Sequence, residues 1–216
     1  MITLSINTST KITHLALHNE KEILSSFCAD LGREQSNLLQ EKISALLAEA
    51  NLSKEDIELI AVTNGPGFYT GIRCGLTFAL GLAYALKLPV VPLSSLDLLQ
   101  EAALMQEKFS DKRFIIPYIK SKSNSVFAQI FDRTENKLIE NPACHTLDCL
   151  LDFVKQNKNT IFVSYDTALY EDLAQLSISL ENDITKCFIN LLAKQTAKPQ
   201  SPLDVKAIYY REPDIG

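Results

Sequence analysis

The twelve residues NGPGFYTGIRCG, Asn64 to Gly75, constrain the fold of this chain more tightly than any other stretch. Four glycines and a proline stand between the apolar run ELIAVTN (58 to 64) and the long apolar segment TGIRCGLTFALGLAYALK (70 to 87). The run reads as a short buried strand and the segment as a helix, with Thr70 as its N-cap and Pro89 as its stop. The glycines let the backbone turn sharply between the two, and Pro66 stiffens that turn. A buried strand feeding directly into a helix is the unit of an α/β protein.

The alternation extends to both sides. ITLSIN (2 to 7), ITHLALHN (12 to 19) and EILSSFCAD (22 to 30) are β-rich runs joined by short polar turns, an antiparallel meander. REQSNLLQEKISALLAEA (33 to 50) sets Leu39, Ile43, Leu46, Leu47 and Ala50 at the spacing of an amphipathic helix. PVVPL (89 to 93) returns to strand, and SSLDLLQEAALMQEK (94 to 108) to helix under a Ser94 or Ser95 cap. The order βββαβαβα is that of one lobe of the actin-like ATPase fold. From Phe109 the pattern restarts with FIIPYIK, VFAQIFDR and KLIEN; helices are expected at 146 to 157, 167 to 177 and 183 to 196, with a strand at 160 to 165. Residues 1 to 108 are therefore expected to form an N-terminal lobe that docks a partner, 109 to 198 a C-terminal lobe, and 199 to 216 an extended, proline-containing tail that packs back.

Composition narrows the function. With 216 residues, 46% hydrophobic and 22% charged, the chain has the make-up of an ordinary folded soluble protein. The apolar alternation begins at Ile2 without a signal-peptide pattern, and the longest apolar stretch, Cys74 to Leu86, falls short of the ~20 residues of a membrane span. Five scattered cysteines (Cys28, Cys74, Cys144, Cys149, Cys187) fit reduced thiols, so the expected compartment is the cytoplasm. A net charge of -5, with one small basic cluster at Lys120, Lys122 and Arg133, argues against a protein that grips nucleic acid alone.

Several motifs suggest chemistry and fail on spacing or context. His14 and His18 lie on a strand pattern, where four residues span about 13 Å, too far for one shared metal ion. Cys144, His145 and Cys149 supply at most three ligands without a second cluster. Gly65, Gly67 and Gly71 resemble a dinucleotide fingerprint, but the next strand ends Val91-Pro92-Leu93-Ser94 without the acidic residue that holds a ribose, and no Lys-Ser/Thr pair makes the loop a Walker A. No metal and no cofactor is expected. The helix after the loop carries a more specific signal: Gly71, Gly75, Ala79 and Ala83 form a flat ridge, while Ile72, Leu76, Phe78, Leu80, Leu82 and Leu86 make the other faces apolar too. A second helix can approach such a ridge closely, and it belongs either to a partner or to the same chain.

These motifs together resemble the TsaB (YeaZ) family of tRNA threonylcarbamoyladenosine proteins, over most of the chain. NGPGFYTGIRCGLTFALGLAYALKLPVVPLSSLDLL is similar to the family's strand, GPG-x-x-TG-x-R-x-G loop, helix and following strand. LSINTST resembles its opening strand and turn, REQSNLLQ its first helix start, and AIYYR its ending. The resemblance implies a two-lobed actin-like (ribonuclease H-like) fold and a non-catalytic subunit. Such a subunit pairs through its N-terminal lobe with TsaD, which transfers a threonylcarbamoyl group from an AMP-activated donor to N6 of adenosine 37 in tRNAs reading ANN codons. It also implies the ATPase TsaE as a further partner, a homodimer when alone, and tRNA contact only through the complex. On that reading Leu39, Ile43, Leu46, Gly71, Gly75, Ala79 and Ala83 form the partner interface, and Gly65, Pro66, Gly67, Thr70 and Arg73 a structural loop.

Departures from the family pattern sharpen the expectation. Asn7 stands where Asp is usual, Gln35 where His is frequent, and Lys120 and Lys122 where Asp and Arg are usual. An amide anchors hydrated Mg²⁺ less well than a carboxylate does. Phe68 and Tyr69 are expected to fill the space a phosphate would need in the loop. The alternatives are an actin-like small-molecule kinase, which would need carboxylates that Asn7 removes, and a metallopeptidase-like protein, which would need a helical HxxxH.

Overall fold

The structure is a computed structural model that describes residues 1–122, 124–164, 177–179, 184–194 and 197–210. The chain forms two compact units, Met1–Ser95 with Asn182–Ile208, and Leu96–Glu181 with Tyr209–Gly216. The first unit ends at Ser95 where a lobe reaching residue 108 was expected, and it also takes in residues up to Ile208, part of the stretch expected as a tail that packs back. Residues beyond the last helix are tied to the first unit: Gln200 and Val90 exchange backbone hydrogen bonds, Ile208 N donates to Asn64 O at 2.8 Å, and Val205 is buried.

In the first unit β1 (Thr3–Asn7), β2 (Ile12–His18), β3 (Ile23–Asp30), β4 (Leu59–Gly65) and β5 (Val90–Ser94) form one sheet in the order β3-β2-β1-β4-β5. β1 pairs antiparallel with β2 and parallel with β4. Every residue of β1 and β4 is buried, which explains why neither strand carries a charged side chain. Helices α1 (Gln35–Glu49) and α2 (Tyr69–Leu86) contribute Leu39, Ile43, Leu46, Ile72, Leu76, Ala79 and Ala83 to a core with Leu4, Ile6, Leu15 and Val62.

Helix α2 starts one residue earlier than its composition suggests. Phe68 is the N-cap residue, extended at φ -66° and ψ 123°, and its carbonyl accepts from Ile72 N. Thr70 lies inside the first turn and caps nothing. At the other end Lys87 adopts the left-handed conformation (φ 58°), and Leu88 N closes on Ala83 O just before Pro89.

The second unit holds β6 (Phe114–Lys122), β7 (Ser125–Asp132), β8 (Lys137–Thr146), β9 (Thr160–Ser164) and β10 (Ser177–Ser179), in the order β10-β9-β6-β7-β8. β6 pairs antiparallel with β7 and parallel with β9, so this sheet repeats the strand order of the first when read from β8. Two such sheets make the actin-like, ribonuclease H-like α/β fold. Helix α3 (Ser95–Leu104) is shorter than the expected 94 to 108, and α4 (Leu147–Gln156) begins at a Thr146 cap that accepts from Cys149 N. β8 runs five residues beyond KLIEN because its pairing with β7 continues to Thr146; as an edge strand it tolerates Pro142. Of the helix expected at 167 to 177, residues 167–176 lie outside the described residues and Ser177 opens β10; the helix expected at 183 to 196 is α5 (Thr185–Ala193), in the first unit. Among the described residues no helix is long and apolar enough to cross a membrane.

Candidate functional site

The glycine turn and the β1–β2 turn of the first unit close on one another. Phe68 N donates to Ser9 O at 2.7 Å, and Thr8 Oγ1 donates to Gly71 O at 2.8 Å. A Cβ on Gly67 would collide with the Ser9 carbonyl oxygen, one on Gly71 with that of Thr8, and one on Gly75 with the Thr8 hydroxyl. These glycines therefore serve close backbone approach, with their space taken by protein atoms.

Asn7 lies at the end of β1, 1% exposed, and anchors the β1–β2 turn. Its Oδ1 accepts from Ser9 N (3.1 Å), Ser9 Oγ (2.7 Å) and Thr63 Oγ1 (2.9 Å), and Ser9 Oγ accepts in turn from Ser95 Oγ (2.7 Å). Asn7 Nδ2 is buried without a hydrogen-bond partner among the described residues. Gln35 Nε2 donates to Thr13 Oγ1 at 2.8 Å, fastening the start of α1 to β2. Every group in this network is neutral, which is how so many polar side chains stay buried without a counter-ion.

The seven residues expected at a partner interface lie inside the first unit. Leu39, Ile43, Leu46, Gly71, Gly75, Ala79 and Ala83 are all buried within the chain itself. The ridge of small residues lets α2 settle against the β1–β2 turn, so the helix that was to fill it from outside has no room there. Of the expected loop residues, Gly65 and Pro66 are buried, Gly67 is half-buried, and Thr70 and Arg73 are exposed. Arg73 stacks its guanidinium over the Tyr69 ring at 4.0 Å. Phe68 is 48% exposed, so it does not fill the loop as expected.

What α2 turns outward is Arg73, Thr77, Gly81, Tyr84 and Ala85, with Tyr84 66% exposed. Between this face and α1 runs a groove made of two cavities of about 580 and 440 Å³, which share Thr77 and Phe78. Leu39 and Ile43 reach its floor; Leu47, Gly81 and Leu82 line its far end. Sequence reading missed this face because both sides of α2 are apolar. The available signal was the pair Gly81 and Tyr84, which no core position requires.

The histidines do not converge. His18 Nδ1 faces Asn19 O at 2.9 Å, which places the proton on Nδ1 and leaves Nε2 to accept from Ser5 Oγ at 2.8 Å; burial lowers its pKa, and the backbone bond offsets part of that. Cys144 and Cys149 are exposed, and His145 Nδ1 lies 3.7 Å from Glu140. Among the described residues no three His, Cys, Asp or Glu side chains are placed to share a metal ion. In the second unit Gln129 Nε2 donates to Asp97 Oδ1 (3.0 Å) and Gln100 Oε1 (2.9 Å), and burial raises the Asp97 pKa against the Gln129 hydrogen bond.

Comparison with known proteins decides the family. The model described as TsaD: tRNA N6-adenosine threonylcarbamoyltransferase matches residues 29–205. The chain belongs to this family. Among the family member's relatives, the tRNA threonylcarbamoyladenosine biosynthesis protein TsaB of Bacillus subtilis (strain 168) is 27% identical over 203 residues, 92% of this chain and 84% of the relative. TsaB of Haemophilus influenzae is 27% identical over 228 residues, 96% and 92% of the two chains. The tRNA N6-adenosine threonylcarbamoyltransferase of Prosthecochloris aestuarii is 43% identical over 65 residues, 30% of this chain and 19% of that protein. The chain thus matches TsaB proteins along most of their length but only about a fifth of that transferase. The fold is that of YeaZ from Pseudomonas aeruginosa, with a TM-score of 0.72 at 18% identity, covering 96% of this chain and 99% of that one.

Proposed function

We propose that this chain is a non-catalytic assembly subunit in tRNA threonylcarbamoyladenosine biosynthesis, working in the cytoplasm beside a TsaD homologue. The observation that carries the reading is the match along most of TsaB, set against the short match to the transferase. The chemistry of the β1 end agrees with it: Asn7, Ser9, Thr63 and Ser95 offer neutral oxygens where a nucleotide-hydrolysing relative would need carboxylates to hold Mg²⁺. TsaD would dock on the outward face of α1 and α2, along the groove floored by Leu39 and Ile43 and flanked by Gly81 and Tyr84. Among the described residues nothing lies within 4 Å of where a Cβ on Gly81 would stand, which leaves room for a helix to pass close by. The same face would serve a homodimer in the absence of TsaD; the ATPase TsaE would join the pair, and tRNA would meet the chain only through the complex.

The test is sedimentation of the chain with its TsaD homologue, together with modification of an ANN-decoding tRNA in the reconstituted mixture. Tyr84→Glu should abolish pairing and modification while circular dichroism stays native. Undiminished pairing by that variant would move the interface elsewhere. Threonylcarbamoyl transfer by the chain alone would overturn the non-catalytic reading.

A further inference from the structure

The second unit holds an acid without a counter-ion beside an amide that is only half satisfied. Asp97 stands on α3 and Gln129 on β7, both within Leu96–Glu181, and Gln129 is 0% exposed. Gln129 Nε2 directs its two hydrogens at acceptors, Asp97 Oδ1 at 3.0 Å and Gln100 Oε1 at 2.9 Å. That pair of acceptors fixes which way round the amide lies. Gln129 Oε1 is then a buried carbonyl oxygen with no donor among the described residues.

Asp97 has the larger deficit. Burial raises its pKa against the Gln129 hydrogen bond, and among the described residues no cationic side chain pairs with it. Its place in the first turn of α3 favours the anion over the neutral acid through the helix dipole. The titratable groups beside it add no positive charge. Glu101 follows one helical turn on, 4% exposed, and the Tyr210 phenol has a raised pKa, from burial and then from the Asp97 charge. Arg133 is engaged past the other end of α3, where its guanidinium donates to Leu104 O and Phe109 O. The Tyr210 and Phe127 rings, 6.4 Å apart, border the cluster with apolar surface, which strengthens any charge interaction inside it.

A buried carboxylate and an unpartnered amide oxygen share one need, a positive charge that takes oxygen ligands. Water can donate to both, but it leaves the charge uncompensated. One carboxylate with neutral oxygens from Gln129 and Gln100 balances a single charge, whereas Ca²⁺ gathers about six to eight oxygen ligands and Mg²⁺ demands a near-octahedral shell. Asp97 and Gln100 are half-buried, so an ion can enter from their side. We infer that this cluster binds a monovalent alkali cation, sodium or potassium, between the Asp97 carboxylate and the side-chain oxygens of Gln129 and Gln100. The site needs no partner chain and stands apart from the docking face of the first unit.

The test is thermal melting of the whole chain at pH 8 in sodium, potassium and choline chloride at one ionic strength. Screening is then constant, and choline, a bulky quaternary ammonium, is the cation that cannot enter. Sodium or potassium should raise the melting temperature saturably, by about 3 to 6 °C at about ten times its dissociation constant. Asp97→Asn should melt higher than the parent in choline and show no difference between the salts. Gln129→Met, with circular dichroism checking its fold, should shrink the difference. Equal melting in all three salts overturns the site, as does a difference that survives Asp97→Asn. A divalent ion that stabilises at far lower concentration, and only with Asp97 present, overturns the monovalent reading. If the salts act alike on the whole chain and differ only once residues 211 to 216 are removed, the place belongs to the chain's own Arg211 and the ion reading falls.

Discussion

The two units share a strand order but not an interior. Residues 1–95 bury eleven small polar side chains in and around their sheet, among them Ser5, Asn7, Thr8, Ser9, Thr13 and Thr63, and leave every one of their aromatic rings at least partly exposed. The second unit buries Phe114, Tyr118, Phe127, Phe131 and Phe162, with Tyr118 and Phe162 edge to face at 5.9 Å and Phe114 against Phe153 at 5.3 Å. In residues 1–95 an aliphatic core is thus joined by hydroxyl networks and glycine contacts, where the second unit adds ring packing. The difference teaches where an interaction surface can sit: Phe68 and Tyr84 are rings the first unit leaves largely exposed.

The largest expected effect tests the second unit's interior. Phe162→Ala should cost about 3 to 5 kcal/mol, read as a fall in the denaturation midpoint, whereas Tyr84→Ala should stay within about 0.5 kcal/mol. Equal losses would erase the contrast between rings that fold the protein and rings that do not. Gly75→Leu comes next, since its side chain would drive into Thr8; overpacking of this kind costs roughly 1 to 3 kcal/mol, and occasionally more. A native-like melting temperature for that variant would show that α2 can lift off the β1–β2 turn. Truncation after Pro202 removes the buried Val205 and the bonds of residues 206 and 208 to Asn64, and should cost roughly 1.5 to 3 kcal/mol. An unchanged melting temperature would mean that residues 203 to 208 only lie on the first unit.

The smallest effects are opposite slopes with pH. Burial lowers the folded pKa of His18, so its contribution is complete above the ordinary histidine value of about 6.5 and is lost as pH falls through the folded value. Burial raises the folded pKa of Asp97, so its contribution is complete below about 3.9 and is lost as pH rises through the folded value. His18→Gln should flatten the loss of stability between pH 7 and 5, while Asp97→Asn should raise stability at pH 7 and leave the acid limb alone. Thermal melts across that range check both, and a slope of the same sign for the two variants would break the pairing.

Much of the first unit was legible in the residues. The alternation of β1 and β2, the apolar run that opens β4, the helical spacing of α1, and the stop at Pro89 are local signals that near neighbours enforce. The repeat of the strand order was not legible, because β10 is three residues long and β8 hides Pro142 in an edge strand. For the site, the glycines pointed correctly to a place of close approach, and the direction of that approach was misread.

What the sequence determined by itself is that α2 must carry small residues on one line and apolar residues elsewhere, a property of 3.6-residue spacing that needs no other part of the chain. It could not determine which line faces inward, because an apolar helix satisfies burial in either orientation. That choice rests on contacts between residues about sixty positions apart in sequence: the Thr8 hydroxyl on Gly71 O, and the carbonyls of Thr8 and Ser9 against Gly71 and Gly67. Only the tertiary structure brings these backbones within reach of each other, and once it does, the glycine line is filled and Tyr84, Gly81 and Thr77 are left facing out.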